Sequence, residues 1–288
     1  MRIIIFDTET TGLPKKVTKT TNVPMPPPVA ASATAVSATS AASATSAMPP
    51  PTSGPTKSAA TSGRQEEDIP YTVVSQTETI WPHIVQFSYI VYDTTKNEIL
   101  KISDHVIKLP PGVIIPQECI NIHGITNEIS LKKGVDIDSV LTKFMKDVLL
   151  ADKVIAHNMN FDFNMIKAEM HRTMNQTYSR FTRRAVDTVE RYKEYLFILA
   201  NLKEKLYCTM RNSISLCNIK MTSKTGNTFV KFPKLVELHE KLFGAAPKKL
   251  HNSLNDVVVC LRCYYQLEFG TDVCIMNSKI QRKMSELL

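Results

Sequence analysis

Asp7 and Glu9 stand two residues apart in Phe6-Asp7-Thr8-Glu9-Thr10-Thr11-Gly12-Leu13, directly after the apolar run Ile3-Ile4-Ile5. In an extended chain, residues i and i+2 point to the same side, so the two carboxylates project together. Converging carboxylates repel unless a cation lies between them, and hard divalent ions prefer such oxygen ligands. A bare Asp-x-Glu is more often a solvated pair at a strand end. This one closes an apolar run that reads as a central strand, where open α/β sheets place their sites. A third carboxylate, Asp162, falls in the first turns of a helix in His157-Asn158-Met159-Asn160-Phe161-Asp162. Alone, such an acid usually just offsets the helix dipole. A fourth, Asp256, follows His251 in Leu250-His251-Asn252-Ser253-Leu254-Asn255-Asp256. His251 precedes a helix and can move with its loop, while Asp256 is fixed in the first turn. That division suits a general base next to a fixed ligand.

The elements that must hold these groups are legible from periodicity. Residues 2–7 read as a central strand, and residues 83–93 and 98–107 as two further strands, antiparallel neighbours rich in β-branched residues. Asp136 reads as the N-cap of a helix through Leu150, with Val140, Leu141, Phe144, Met145, Val148 and Leu149 at three- and four-residue spacing. A short strand, 153–156, precedes a helix over 161–174. Residues 175–206 are polar and basic with helical tendency and no evident fold role. The remaining readings are a helix over 208–216, a polar loop or hairpin over 220–231 around Gly226-Asn227, a helix over 234–243 closed by Gly244, and a last long helix over 253–268 capped by Asn252 or Ser253. The tail after Gly270 reads as a further short helix. This order predicts a three-layer α/β domain with a mixed sheet.

The sharpest composition break runs from Pro14 to about Pro70. From Pro24 to Gly63 almost every residue is Ala, Ser, Thr or Pro. Such a segment has nothing large and apolar to bury, so it reads as a disordered insertion in a surface loop. The formal net charge is +8 and the pI near 9.1, which favours an acidic partner such as nucleic acid. Seven lysines between Lys220 and Lys249 lead into the third motif and could hold a phosphate backbone. The longest apolar runs fall far short of the roughly 20 residues a spanning helix needs. No signal peptide is expected, since the chain enters its first strand at once. Cys260 and Cys263 form a C-x-x-C within an apolar helical run, with no second pair at zinc spacing. All six cysteines read as reduced thiols of an intracellular protein.

Together, Asp7-Thr8-Glu9-Thr10-Thr11-Gly12-Leu13, His157-Asn158-x-x-Phe161-Asp162 and His251-x-x-x-x-Asp256 resemble the DEDDh branch of the DnaQ-like exonucleases, the family of polymerase proofreading subunits and TREX-type enzymes. Trp81 to Phe87 is similar to the family's second strand, and His123-Gly124-Ile125-Thr126 to its H-G-I-T loop. The tyrosine branch would place Tyr where Asn252 stands; His251 fits the histidine branch. The resemblance implies a ribonuclease H-like fold over 1–13 and 71–270, with 14–70 as insertion and 271–288 as tail. It implies 3′→5′ hydrolysis with two divalent ions, Mg²⁺ or Mn²⁺, releasing nucleoside 5′-monophosphates. Asp7, Glu9, Asp162 and Asp256 would be the metal ligands and His251 the general base. Thr8, Thr10, Gly12, Leu13, His123 and Asn158 would contact the terminal nucleotide. The implied partner is nucleic acid with a free 3′ end, DNA rather than RNA from the fit of the first motif and the H-G-I-T loop, with a polymerase or replication partner beside it. The implied location is cytoplasmic or nuclear, with no secretion and no membrane contact. Two alternatives stand. One is an RNA-directed enzyme of the same fold, selected through the 2′-OH. The other is an inactive binding module, against which the intact catalytic set argues. Cys208-Thr209 stands where many members carry Asp-Thr, with Asp187-Thr188 a competing match.

Overall fold

The computed structural model describes residues 1–24, 71–178 and 183–288. Within it the chain divides into two units, Met1–Lys15 with Ile80–Leu288, and Lys16–Thr79. The first unit is built on a five-stranded sheet of β1 (Arg2–Thr10), β4 (Ile84–Asp93), β5 (Glu98–Val106), β6 (Lys153–Ala156) and β7 (Leu206–Cys208), in the order β5-β4-β1-β6-β7. β4 runs antiparallel to β1 and β5, while β6 runs parallel to β1 and β7, so the sheet is mixed. Two shorter pairs complete the strands: β2 (Lys15–Pro24) with β3 (Tyr71–Ile80), and β8 (Lys220–Thr222) with β9 (Thr228–Val230).

The pleat of β1 sorts its residues between two cores. Ile4 and Phe6 pack with Phe87, Tyr89 and the helical residues Val140, Phe144, Ile166 and Tyr192. Ile3 and Ile5 pack instead with Val257, Val258, Leu261 and Tyr264. Each side chain of this kind, wholly removed from water, contributes about 1.5–3 kcal/mol. On the first face lie α3 (Ile137–Leu149), α4 (Met159–Tyr178) and α5 (Arg183–Asn201). On the other lie α8 (Leu235–Phe243), α9 (Ser253–Phe269), α10 (Val273–Met276) and α11 (Ser278–Leu287). Helices on both faces of a mixed sheet give the three-layer fold expected from the sequence. α1 (Gln117–His123), α2 (Asn127–Lys133), α6 (Thr209–Asn212) and α7 (Ile214–Cys217) are short, and a 3₁₀ turn at Lys203–Lys205 leads into β7.

Local signals explain the helix ends. Asp136 accepts from the Asp138 N–H at 2.9 Å, and Asn252 caps α9 by accepting from Asn255 N–H. Gly244 and Gly270 close α8 and α9 with φ of 72° and 65°, a conformation that disfavours any residue with a Cβ.

Several expectations need correcting. Residues 208–216 do not form one helix. Cys208 ends the edge strand β7, and two short helices follow. Three-residue strands carry too little pattern to be recognised. Residues 175–206 do have a fold role, because α5 buries Tyr192, Tyr195 and Leu199 in the first core. The tail after Gly270 is two helices, not one, and Ile280, Met284 and Leu287 are buried in the second core. Residues 15–24, placed within the disordered insertion, are strand β2, paired with β3. The Ala/Ser/Thr/Pro-rich stretch over 25–70 lies outside the described residues. Among the described residues, no helix is long and apolar enough to cross a membrane.

Candidate active site

β1 outruns its parallel neighbour. Its pairing with β6 ends at Ile5↔Ile155, whereas its pairing with β4 continues through Asp7↔Ser88 and Glu9↔Gln86. Past Ile5, one flank of β1 is therefore open, in the crevice where parallel strands end. Asp7 and Glu9 continue the Ile3/Ile5 face, which is the α9 side. Asp256, in the first turn of α9, meets them there. Asp7, Glu9 and Asp256 can each place one carboxylate oxygen within 4.8 Å of the others.

Thr8 has the opposite orientation, and Asp162 approaches from α4 on that side. Its Oδ1 accepts from the Thr8 backbone N–H at 3.1 Å and the Thr8 hydroxyl at 2.7 Å. Asp162 is thus braced beside the group of three, not within it. Thr8, grouped in the sequence with the nucleotide contacts, is 6% exposed and holds a carboxylate. The pleat decided this, since adjacent residues of one strand serve opposite faces.

The electrostatics of the cluster are those of anions crowded out of water. Burial pushes the Asp7 carboxyl up to about 7, partly offset by a hydrogen bond from Ser253. Burial and then the charge on Asp7 raise Glu9 to about 8. Asp256 is pushed up to about 9 by burial, then by Asp7 and Glu9. Asp162 lies well above the usual carboxylate range through burial and the charge on Asp7, against the two donations from Thr8. Compact oxygen donors that resist simultaneous ionisation are what a hard divalent ion would relieve. The donor set therefore fits Mg²⁺ or Mn²⁺ in chemistry.

His251 sits on the loop before α9 with φ of 67°, and Lys249 two residues earlier has φ of 56°. A left-handed non-glycine residue costs about 1–2 kcal/mol. One local compensation is the His251 N–H, which donates to Asp256 Oδ2 at 2.9 Å. The same carboxylate thus belongs to the cluster and fixes the loop that carries the histidine. Asn158, between β6 and α4, is also left-handed with φ of 68°.

A cavity of about 390 Å³ joins the cluster to its surroundings. It is lined by Asp7, Thr8, Glu9, Asp162, His251 and Asp256, with Leu13 and Asn158 at its walls. An adjoining cavity of about 480 Å³ takes Glu9, Thr10, Gly12, Leu13 and His123. The loop between them is pinned: Thr11 N–H donates to the His83 carbonyl at 2.9 Å, His83 N–H donates to the Thr11 hydroxyl at 3.0 Å, and the Thr10 hydroxyl donates to the Gly12 carbonyl at 2.7 Å. Gly12 has φ of 147°, and Leu13 beyond it is 75% exposed. His123 ends α1 and accepts at Nδ1 from Ile125 N–H, and burial lowers its pKa.

Other residues of the site had no role as catalytic group, metal ligand or terminal-nucleotide contact assigned to them in the sequence. Ser253, 0% exposed, donates its hydroxyl to the Asp7 carbonyl at 2.6 Å and accepts from Ser88 N–H at 3.1 Å. It ties α9 to β1, which carries Asp7 and Glu9, and to its neighbour β4. His157 contacts the Thr209 hydroxyl through Nδ1 at 2.9 Å and donates through Nε2 to the Pro233 carbonyl at 3.1 Å. Burial lowers its pKa to about 4, so it stays neutral. Thr209 begins α6 at the end of β7, which puts Cys208-Thr209 beside the site, while Asp187-Thr188 lie within α5. Phe161, Lys234 and Leu235 also line the cavity. The spacing of Ser253, two residues past His251, was the one signal that could have found it.

The family model described as Exonuclease (RNase T) matches residues 72–264. That is more than half of the chain, and the chain belongs to this family, whose DnaQ-like members are 3′→5′ exonucleases dependent on divalent metal. Asp7 and Glu9 precede the matched span, separated from it by the insertion. None of the curated proteins matches in sequence. Among solved structures, the chain is similar to E. coli exonuclease I in complex with a dT13 oligonucleotide, with a TM-score of 0.46 and 11% identity over 92% of this chain and 41% of that one. It is also similar to a 3′-exonuclease described for 3′-end-specific recognition of the histone mRNA stem-loop, with a TM-score of 0.43 and 14% identity over 66% of this chain and 57% of that one. The chain spans about two fifths of the length of exonuclease I.

Proposed function

We propose that this chain removes nucleoside 5′-monophosphates from the 3′ ends of DNA by hydrolysis that depends on two divalent ions, Mg²⁺ or Mn²⁺. The observation that carries the reading is the convergence of Asp7, Glu9 and Asp256, with Asp162 braced beside them and His251 held by Asp256. Asp7, Glu9 and Asp256 would hold one ion, and Asp7 with Asp162 the other. Bound there, the ions would polarise the scissile phosphate and lower the pKa of the attacking water.

The chain's own residues supply position and proton transfer. The Thr8 donations fix Asp162, and Ser253 fixes the backbone of Asp7 against α9. His251, on an exposed loop at the cavity wall, would take the proton of the attacking water at an imidazole nitrogen. The pinned loop over Thr10 to Leu13 would receive the terminal nucleotide, with Leu13 as an apolar wedge against its base and His123 and Asn158 beside it. Closing the 3′ end against this loop would limit cleavage to one nucleotide at a time.

The test uses matched 3′-labelled and 5′-labelled oligomers of DNA and RNA with Mg²⁺ or Mn²⁺. Stepwise 3′ shortening of DNA is expected, and Asp7→Ala should abolish it. Full activity in Asp7→Ala would sink the catalytic reading, and preference for RNA would overturn the choice of DNA.

A further inference from the structure

Between α7 and α8 the chain projects the β8–β9 hairpin, in which all six strand residues are exposed. Met221 pairs directly across from Phe229, so both lie on one face; they are 47% and 49% exposed. Val230, 42% exposed, lies on the other face across from Lys220, and Phe232, 54% exposed, follows the end of the strand. Single exposed apolar residues are ordinary, but grouping on a two-sided ribbon is not. Lys220, Lys224, Lys231 and Lys234 interleave with them, and no acidic residue occurs from 218 to 236. Lys231 is paired with Glu237, whereas Lys220 and Lys224 make no ion pair among the described residues.

The hairpin is firmly seated at its base. Lys231 N–H donates to the Ile219 carbonyl at 2.9 Å, and the Pro233 carbonyl accepts from His157. Lys234 and Leu235, directly after it, line the cavity of the four carboxylates. The exposed ribbon is therefore continuous with the candidate active site. Three-residue strands with both faces in water gain little from their own pairing, so this surface suits a partner laid along it.

We infer that the hairpin is the track for the single-stranded part of the substrate, with unstacked bases lying on Phe229 and Met221 and phosphates met by Lys220 and Lys224. Aromatic faces interleaved with cations take any base without sequence preference, and they require bases that are free of a duplex stack. The inference rests on the exonuclease reading above and adds to it a contact beyond the terminal nucleotide. It makes the enzyme sensitive to the length of its single strand.

The experiment compares kcat/KM on a trinucleotide and on a 12-mer, each as DNA and as RNA, for wild type, Phe229→Ala, Phe229→Trp and the double variant Lys220→Glu/Lys224→Glu. On the 12-mer, Phe229→Ala should lose about thirtyfold, the middle of the range for one stacked base. Phe229→Trp should retain the wild-type value, and the lysine variant should show a flatter salt dependence. On the trinucleotide all variants should match wild type. Equal loss at both lengths, or no loss on the 12-mer, overturns the inference and leaves the exonuclease reading standing. If wild type shortens neither substrate, the exonuclease reading falls and the hairpin inference falls with it. A change in sedimentation without any length effect would assign the face to a second copy of the chain, also overturning the inference.

Discussion

Replacing Asp256 by asparagine should stabilise the metal-free protein while removing its response to metal. In the folded state Asp256 is pushed up to about 9 from an ordinary 3.8 by burial and by Asp7 and Glu9. The folded state therefore holds a proton that the unfolded chain releases from about pH 4 upward. Because the unfolded state binds fewer protons over this window, metal-free stability falls as pH rises and levels off only near pH 9. Each pH unit within the window is worth about 1.4 kcal/mol per proton. Between about pH 5 and pH 7 the advantage of Asp256→Asn over wild type should therefore widen by up to about 3 kcal/mol. In a domain of this size that is a widening of roughly 5–10 °C in melting temperature. The amide oxygen can still accept the His251 N–H, so the loop keeps its anchor. The assay is thermal denaturation in chelator at several pH values, then with Mg²⁺. Saturating metal should raise wild type by about 2.7 kcal/mol at a hundredfold excess over Kd and leave the variant nearly unchanged. A gap that stays constant with pH, or an equal gain from Mg²⁺ in both proteins, would refute the electrostatic account of the cluster.

His251→Ala should lose about 10²–10⁴-fold in kcat, the usual contribution of a general base, with the Mg²⁺ titration midpoint unchanged; a shifted midpoint would instead make it a ligand. Ser253→Ala should cost about 1–3 kcal/mol, because it strips a partner from the buried Ser88 N–H and Asp7 carbonyl, and denaturant unfolding measures this directly.

Which parts of the protein were legible in advance follows from what each depends on. β1, β4, α3, α8 and α9 carry long periodic patterns with explicit caps, and such elements are written in local sequence. The places of Asp7, Glu9, Asp162, His251 and Asp256 in the fold were legible too, because those patterns locate the strand and the helix starts that hold them. β7, with three residues, and the burial of α5 were not legible, since both are decided by what packs against them.

By itself, then, the sequence determined which residue types could do chemistry and which strand or helix end would present each. The tertiary structure decided how they meet. It put Asp7, Glu9 and Asp256 on the α9 face of β1 and turned Thr8 to the other face to hold Asp162. It also brought Ser253 under Asp7 and seated the β8–β9 hairpin on His157. Those juxtapositions join residues up to 246 positions apart. Local periodicity carries no information about them, because they depend on which faces of separate elements are buried together.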